Sequence, residues 1–264
     1  MQKPQKLLLF FLGTLVIFGA SFAIFRFKDK FIVTPLPPAV PYEATPAPQE
    51  NIPTSSQSPT ASSPTAPSTP VATATLPAEV NLKIPFTSQA PNQNWSAPYQ
   101  EFCEEASTLM VASYINNQPI NGPADADKKM LAIMDFEMKK FGYYQDTTAD
   151  ETATILREYF NLPKVEVVSD PTIEQIKTAL AEGKAVIMPE AGRQLGNPNF
   201  QTPGPLYHML VIKGYRKNGD FITNDPGTRK GADYIYKAST IMNANHDWNG
   251  GNVDTGRKVM IIVG

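Results

Sequence analysis

The sequence of 264 residues has one cysteine, two histidines and no excess of positive charge: 23 Lys and Arg stand against 25 Asp and Glu, for a net charge of −2. Without a basic excess there is no electrostatic footprint for nucleic acid as a partner. A single cysteine, Cys103, excludes an internal disulfide and a cysteine-rich zinc site. Cys103 is then either a small buried hydrophobe or a reactive thiol. Charge of either sign is also scarce, 18% of residues against a usual value of about 25%. Two segments near the N-terminus account for that deficit.

The first, Leu7 to Phe25, carries no charge and is flanked by Lys3, Lys6, Arg26, Lys28 and Lys30. About 20 apolar residues span a bilayer core. The run ends in Ala23-Ile24-Phe25-Arg26, which lacks the small residues of a signal-peptide cleavage site. A short segment 1–6 followed by an uncleaved signal anchor over 7–25 is the expectation. The second segment, Thr34 to Ala78, consists mostly of Pro, Ser, Thr and Ala. Such a composition cannot bury a core and stays extended as a spacer. Residues 26–78 are therefore expected to form a disordered stalk. An anchor followed by a stalk predicts a single-pass cell-membrane protein whose C-terminal domain is extracytoplasmic.

Residues 79–264 suffice for one domain with a sizeable core. Val80 to Ile84 alternates and reads as a strand. An amphipathic helix is expected from Cys103 to Ile115, with Glu104 and Glu105 turned to solvent. A second helix is expected over about 125–141, with Met130, Ile133, Met134, Met138 and Phe141 on its core face. A third covers about 148–161 and buries Ile155, Leu156, Tyr159 and Phe160. Asp170 and Pro171 signal the start of a fourth, Ile173 to Glu182, which Gly183 ends. Strands follow at Ala185–Met188, Tyr207–Tyr215, Asp220–Asn224 and Val259–Val263, with a turn at Arg216–Gly219. Helices first and strands second predict an α+β domain, a helical part packed on an antiparallel sheet.

Cys103 at the start of a helix is placed where free backbone N–H groups stabilise a thiolate. His208 lies in an apolar strand and His246 in a polar loop. A hairpin turn of two or four residues near Lys217-Asn218-Gly219 pairs Asp225 with Ile212 or Leu210. Both share a strand face with His208. Asp225 can then hold the imidazole tautomer. Cys103, His208 and Asp225 thus supply a nucleophile, a base and an orienting carboxylate. Trp95, Tyr99 and Trp248 are candidates for a substrate cleft or for the core. Gly192 to Pro205 reads as a long loop before His208, a candidate lid. Asp247, Asn249 and Asp254 miss the spacing of a calcium loop.

The segments Gln89…Trp95…Pro98-Tyr99-Gln100-Glu101-Phe102-Cys103-Glu104-Glu105-Ala106-Ser107, Tyr207-His208 and Asn224-Asp225-Pro226 resemble the C39-like peptidase family. The resemblance runs from about Leu82 to Val263. It implies a papain-like cysteine peptidase fold related to the peptidase domains of bacteriocin exporters, here without a transporter domain. It also implies that a glutamine upstream of the cysteine helps form the oxyanion hole. Gln89 matches best, and Gln93 and Gln100 are alternatives. The resulting expectation is an extracytoplasmic thiol hydrolase that cleaves peptide or amide bonds in a peptide or cell-envelope peptide substrate. It needs no metal or cofactor, and its membrane contact runs through the N-terminal helix. A cell-wall amidase or transpeptidase using the same residues, and an inactive peptide- or envelope-binding domain, are the alternatives. No oligomeric partner is read from the sequence.

Overall fold

The computed structural model describes residues 35–43 and 75–264. The expected anchor, 7–25, and most of the expected stalk lie outside the described residues. Among the described residues, no helix is long and apolar enough to cross a membrane.

Among the described residues, seven strands form one antiparallel sheet: β1 (Val80–Asn81), β2 (Val165–Ser169), β3 (Ala185–Ala191), β4 (Tyr207–Tyr215), β5 (Phe221–Asn224), β6 (Tyr234–Tyr236) and β7 (Val259–Val263). The order is β2-β7-β3-β4-β5-β6, and β1 pairs with the far end of β4. β3 and β4 are buried along their whole length, which explains their near-continuous apolar sequences. Gly214 is required where β1 crosses β4, because a Cβ there would lie 2.2 Å from the Val80 carbonyl oxygen. Pro189 is tolerated inside β3 because pairing with β7 stops at Ile187.

The helices are α1 (Cys103–Ile115), α2 (Pro123–Lys140), α3 (Ala149–Thr154), α4 (Ile173–Ala181) and α5 (Ala238–Ala244). α1 is not amphipathic, contrary to the sequence expectation. Its twelve residues from Cys103 to Tyr114 are all buried. Met110, Val111 and Tyr114 join the sheet core, while Phe102, Ala106 and Leu109 pack with Met130 and Ile133 of α2. A helix held on two sides has no solvent face to carry polar residues.

Other boundaries moved for identifiable reasons. α2 turns Met130 and Ile133 inward as expected, but Met138 is 47% exposed and Glu137 is buried instead. The third helical pattern is α through Thr154 and continues as a π turn, Ile155–Tyr159. The cap of α4 is Thr172, not Asp170, in a reciprocal capping box with Gln175. The described part of β2 precedes α4, so helices and strands interleave where the sequence reading separated them.

Residues 35–43 fall within the expected stalk, yet part of this segment lies against the domain. Val40 bridges Leu82 in parallel, Val40 N–H donates to the Asn81 carbonyl at 2.8 Å, and Lys83 N–H donates to the Val40 carbonyl at 2.6 Å. Tyr42 stacks edge-on against Tyr114 of α1, with ring centroids 5.3 Å apart.

Candidate active site

The site is built at the start of β4. There, His208 Nε2 donates to Asp225 Oδ1 at 2.8 Å, and both side chains are essentially fully buried. The hairpin explains the meeting. Val211 lies opposite Asn224, so the next step of the register brings Asp225 opposite Leu210, one of the two expected partners. Three further donors converge on Asp225. Gly227 N–H reaches Oδ1 at 3.0 Å, and the Tyr236 hydroxyl and Asn197 Nδ2 reach Oδ2 at 2.6 and 3.1 Å. Burial raises the Asp225 carboxyl, but attraction to His208 and the hydrogen bonds from His208, Tyr236 and Gly227 outweigh it. The group sits below the ordinary carboxylate range. Phe200 stacks edge-on against the His208 ring at 5.3 Å, and a Cβ at Gly227 would lie 2.8 Å from His208 Cε1. The imidazole is thus walled in, with Nε2 committed to Asp225 and Nδ1 left as the nitrogen for a reacting group.

Cys103 is the first residue of α1. One turn further on, the Ser107 hydroxyl donates to the carbonyl of Met209, the neighbour of His208, at 3.2 Å. The Tyr207 hydroxyl is pushed up by burial, then by Asp247, Glu104 and Cys103, so the starts of α1 and β4 share one electrostatic environment. From the other side, Gln89 N–H and the Ser88 hydroxyl donate to the Pro226 carbonyl at 3.0 and 3.3 Å. Gln89 Nε2 donates to the carbonyls of Tyr99 and Gln100, at 3.0 and 2.8 Å. Gln89 is therefore buried between the Asp225 loop and the turn that delivers Cys103, with its amide directed at that turn. Gln93 and Gln100 stay exposed: Gln93 accepts from Arg229, and Gln100 donates to Glu101.

The surroundings of the thiol correct the sequence reading. Glu104 and Glu105 do not face solvent; they are 1% and 0% exposed. The Cys103 thiol donates to Glu104 Oε2 at 2.9 Å. Burial pushes the thiol well above its ordinary range, and Glu104, Glu105 and Asp146 push it the same way. The helix start does not by itself hold a thiolate here. The carboxyls are raised in turn. Burial lifts Glu104 despite the Cys103 hydrogen bond, and burial with repulsion from Glu137 and Glu104 lifts Glu105. Burial and repulsion from Glu151 raise Glu137 to about 8, and burial with repulsion from Glu101 raises Asp146 to about 6. Among the described residues, the carboxyls of Glu105 and Glu137 lie against each other and no other group donates to their oxygens. Glu137 therefore holds a proton at neutral pH and Asp146 largely does not, while a protonated Glu104 can donate to sulfur as readily as accept from it.

The sequence reading missed Asn197, Tyr236, Gly227 and Glu190. Glu190 pairs directly with His208 across β3 and β4, and among the described residues its buried carboxyl has no hydrogen-bond partner. Burial raises its carboxyl well above the ordinary range, against the pull of Lys258. The aromatic alternation Tyr234-Ile235-Tyr236 is a strand signal that could have led to Tyr236. The loop sequence around Asn197 offers none. Trp95 lines the cleft beside the site, whereas Tyr99 packs on Phe102 and Trp248 on Tyr207. Asp247 caps α3 through Ala149 N–H and pairs with Arg257. Among the described residues no group of His, Cys, Asp and Glu is arranged to hold a metal ion.

Cys103 at a helix start, packed on an antiparallel sheet that carries the His208–Asp225 pair, gives the α+β arrangement expected from the sequence. The model of the Peptidase_C39 like family matches residues 81–251, and the chain belongs to that family. No curated protein matches it. Among solved structures it is similar to a C39-like peptidase from Bacillus anthracis, with 15% identity over 70% of this chain and 98% of that one and a TM-score of 0.45. It is likewise similar to a prointerpain A fragment from Prevotella intermedia, with 15% identity over 71% of this chain and 72% of that one and a TM-score of 0.45.

Proposed function

We propose that this chain is a membrane-anchored, extracytoplasmic cysteine peptidase in which Cys103, His208 and Asp225 carry the reaction. The observation that supports this most strongly is the buried His208–Asp225 pair, whose carboxylate is held by three further donors. A histidine with only a packing role needs no such investment of buried polar groups. The resting thiol is neutral and hydrogen-bonded to Glu104. When a peptide carbonyl arrives, Cys103 gives its proton to His208 Nδ1 and attacks as thiolate. Asp225 stabilises the resulting imidazolium through Nε2–H, and Glu104, holding its own proton, donates to the sulfur. Backbone N–H groups of the first turn of α1 have no partner inside the helix and receive the oxyanion. Gln89 braces the turn before Cys103 and joins the oxyanion site only by releasing one of its two carbonyl partners. His208 then protonates the leaving amine, and water hydrolyses the thioester.

The apolar run 7–25 and the Pro-rich segment after it support the membrane placement. In its native host the chain should stay in the membrane fraction after alkaline carbonate washing, and its C-terminal domain should be cut by protease added to intact cells. Release by carbonate, or protection from protease, would overturn the placement. For the chemistry, purified full-length chain should hydrolyse an unfolded protein such as denatured casein, and Cys103→Ser should abolish this. Retained hydrolysis in Cys103→Ser would reject the nucleophile.

A further inference from the structure

Beside the candidate catalytic residues lies a cavity of about 490 Å³ that the reaction described above does not use. Trp95, Asn199, Gln201, Gly227, Arg229 and Lys230 are among its lining residues, and among the described residues no acid lines it. A second cavity, about 270 Å³, shares Trp95, Gln201 and Gly227 with the first and reaches Gln89. Gly227 backs directly onto the His208 ring. The first cavity therefore forms a cleft that runs from the wall of His208 to a pair of cations, and the second adjoins it at a shared wall.

We infer that this cleft is a substrate subsite for a carboxylate side chain on the peptide, an Asp or Glu held by Arg229 and Lys230 against Trp95. The inference rests on the peptidase reading and adds a substrate class to it. Three features support it. Arg229 and Lys230 sit on the loop that begins with Asp225, and that loop is closed by Asp225 N–H to the Gly231 carbonyl at 2.9 Å and by Lys230 N–H to Thr228 Oγ1 at 3.2 Å. The cations are thus fixed relative to the base rather than placed on an independent surface. Arg229 Nη1 donates to Gln93 Oε1 at 2.9 Å, which orients the guanidinium while occupying one of its five N–H groups. The opposite wall is braced as well. Asn199 donates through N–H and Nδ2 to Asn197 Oδ1, at 3.0 and 3.1 Å, and Asn197 holds Asp225. A guanidinium and an ammonium in a cleft with no lining acid favour an anionic side chain, through charge-assisted hydrogen bonds, over its neutral isostere. The chain as a whole is slightly negative, so this patch does not reflect its average charge.

The experiment uses full-length chain carrying Cys103→Ala and a set of fluorescent octapeptides in which each position in turn is Glu or Gln. At one position Glu should bind at least tenfold tighter than Gln, and the preference should shrink with added salt. The double variant Arg229→Gln/Lys230→Gln should remove it without changing the thermal midpoint, since both side chains are exposed. Equal binding of Glu and Gln peptides, no binding, or a preference that survives the double variant would each overturn the subsite. Catalysis is read separately with the wild-type chain. If acidic peptides bind selectively and none is cleaved, the peptidase reading fails and the subsite stands. If Glu and Gln peptides are cleaved with equal kcat/KM, the subsite fails and the peptidase stands.

Discussion

At the scale of single residues, the site depends on what confines His208 and Cys103. Gly227 is the tightest constraint, because any Cβ there meets the His208 ring and Phe200 at under 3 Å. Gly227→Ala should leave the domain folded but displace the imidazole, lowering kcat by about a hundredfold with a smaller change in KM. Wild-type kcat in Gly227→Ala would show that His208 has slack. Glu104 is the second constraint. If the protonated Glu104 carboxyl donates to the attacking sulfur, Glu104→Gln, whose amide still reaches sulfur, should largely preserve the alkylation rate of Cys103 at pH 7, and Glu104→Ala should lower it several-fold. An unchanged rate in Glu104→Ala would remove Glu104 from the control of the thiol. The helix start at Cys103 and the hairpin that brings Asp225 to His208 were legible in the sequence. The burial of Glu104 and Glu105 was not. Charged residues in a first helical turn read as solvent-facing, and here tertiary packing covers them, with Asp146 and Tyr207 near Glu104 and Glu137 of α2 against Glu105.

At the scale of elements, α1 is the pivot. It touches β4 on one side and α2 on the other, and it carries Glu105 into contact with Glu137 of α2. Two carboxyls confined together retain a proton that the unfolded chain gives up. For Glu137 the window lies between 4.5, the ordinary value, and about 8. A carboxyl raised on folding binds more protons in the native state, so stability falls as pH rises through that window. Glu137→Gln should flatten the slope by up to about 1.4 kcal/mol per pH unit, read from urea unfolding at pH 5, 6.5 and 8. An unchanged slope would place the proton elsewhere. The strands of the second half were read nearly to their ends, because β3, β4 and β7 are short apolar runs bounded by turn residues. β2 and β6 were missed: the first is partly exposed, and the second is only three residues long.

At the scale of the whole molecule, composition divided the chain into an apolar run, a Pro-rich stretch and a domain. It could not show that Val40 and Tyr42 of that stretch pack on the domain. Val40 adds a strand bridge to the edge formed by Val80 to Lys83, and Tyr42 adds an aromatic contact to Tyr114 of α1. Tyr42→Ala should therefore destabilise the full-length chain by about 1–2 kcal/mol, the loss of a partly buried aromatic pair. No change in stability would mean the contact contributes nothing. The central claim, however, is that Cys103 acts with His208, and a peptidyl acyloxymethyl ketone tests it directly by placing a carbonyl carbon at the thiol. The measurement is the rate of covalent capture of Cys103 at pH 7 by mass spectrometry, in wild type and His208→Ala, each normalised to its iodoacetamide rate. The account expects capture about a hundredfold faster in wild type. Equal normalised rates in the two proteins would contradict it.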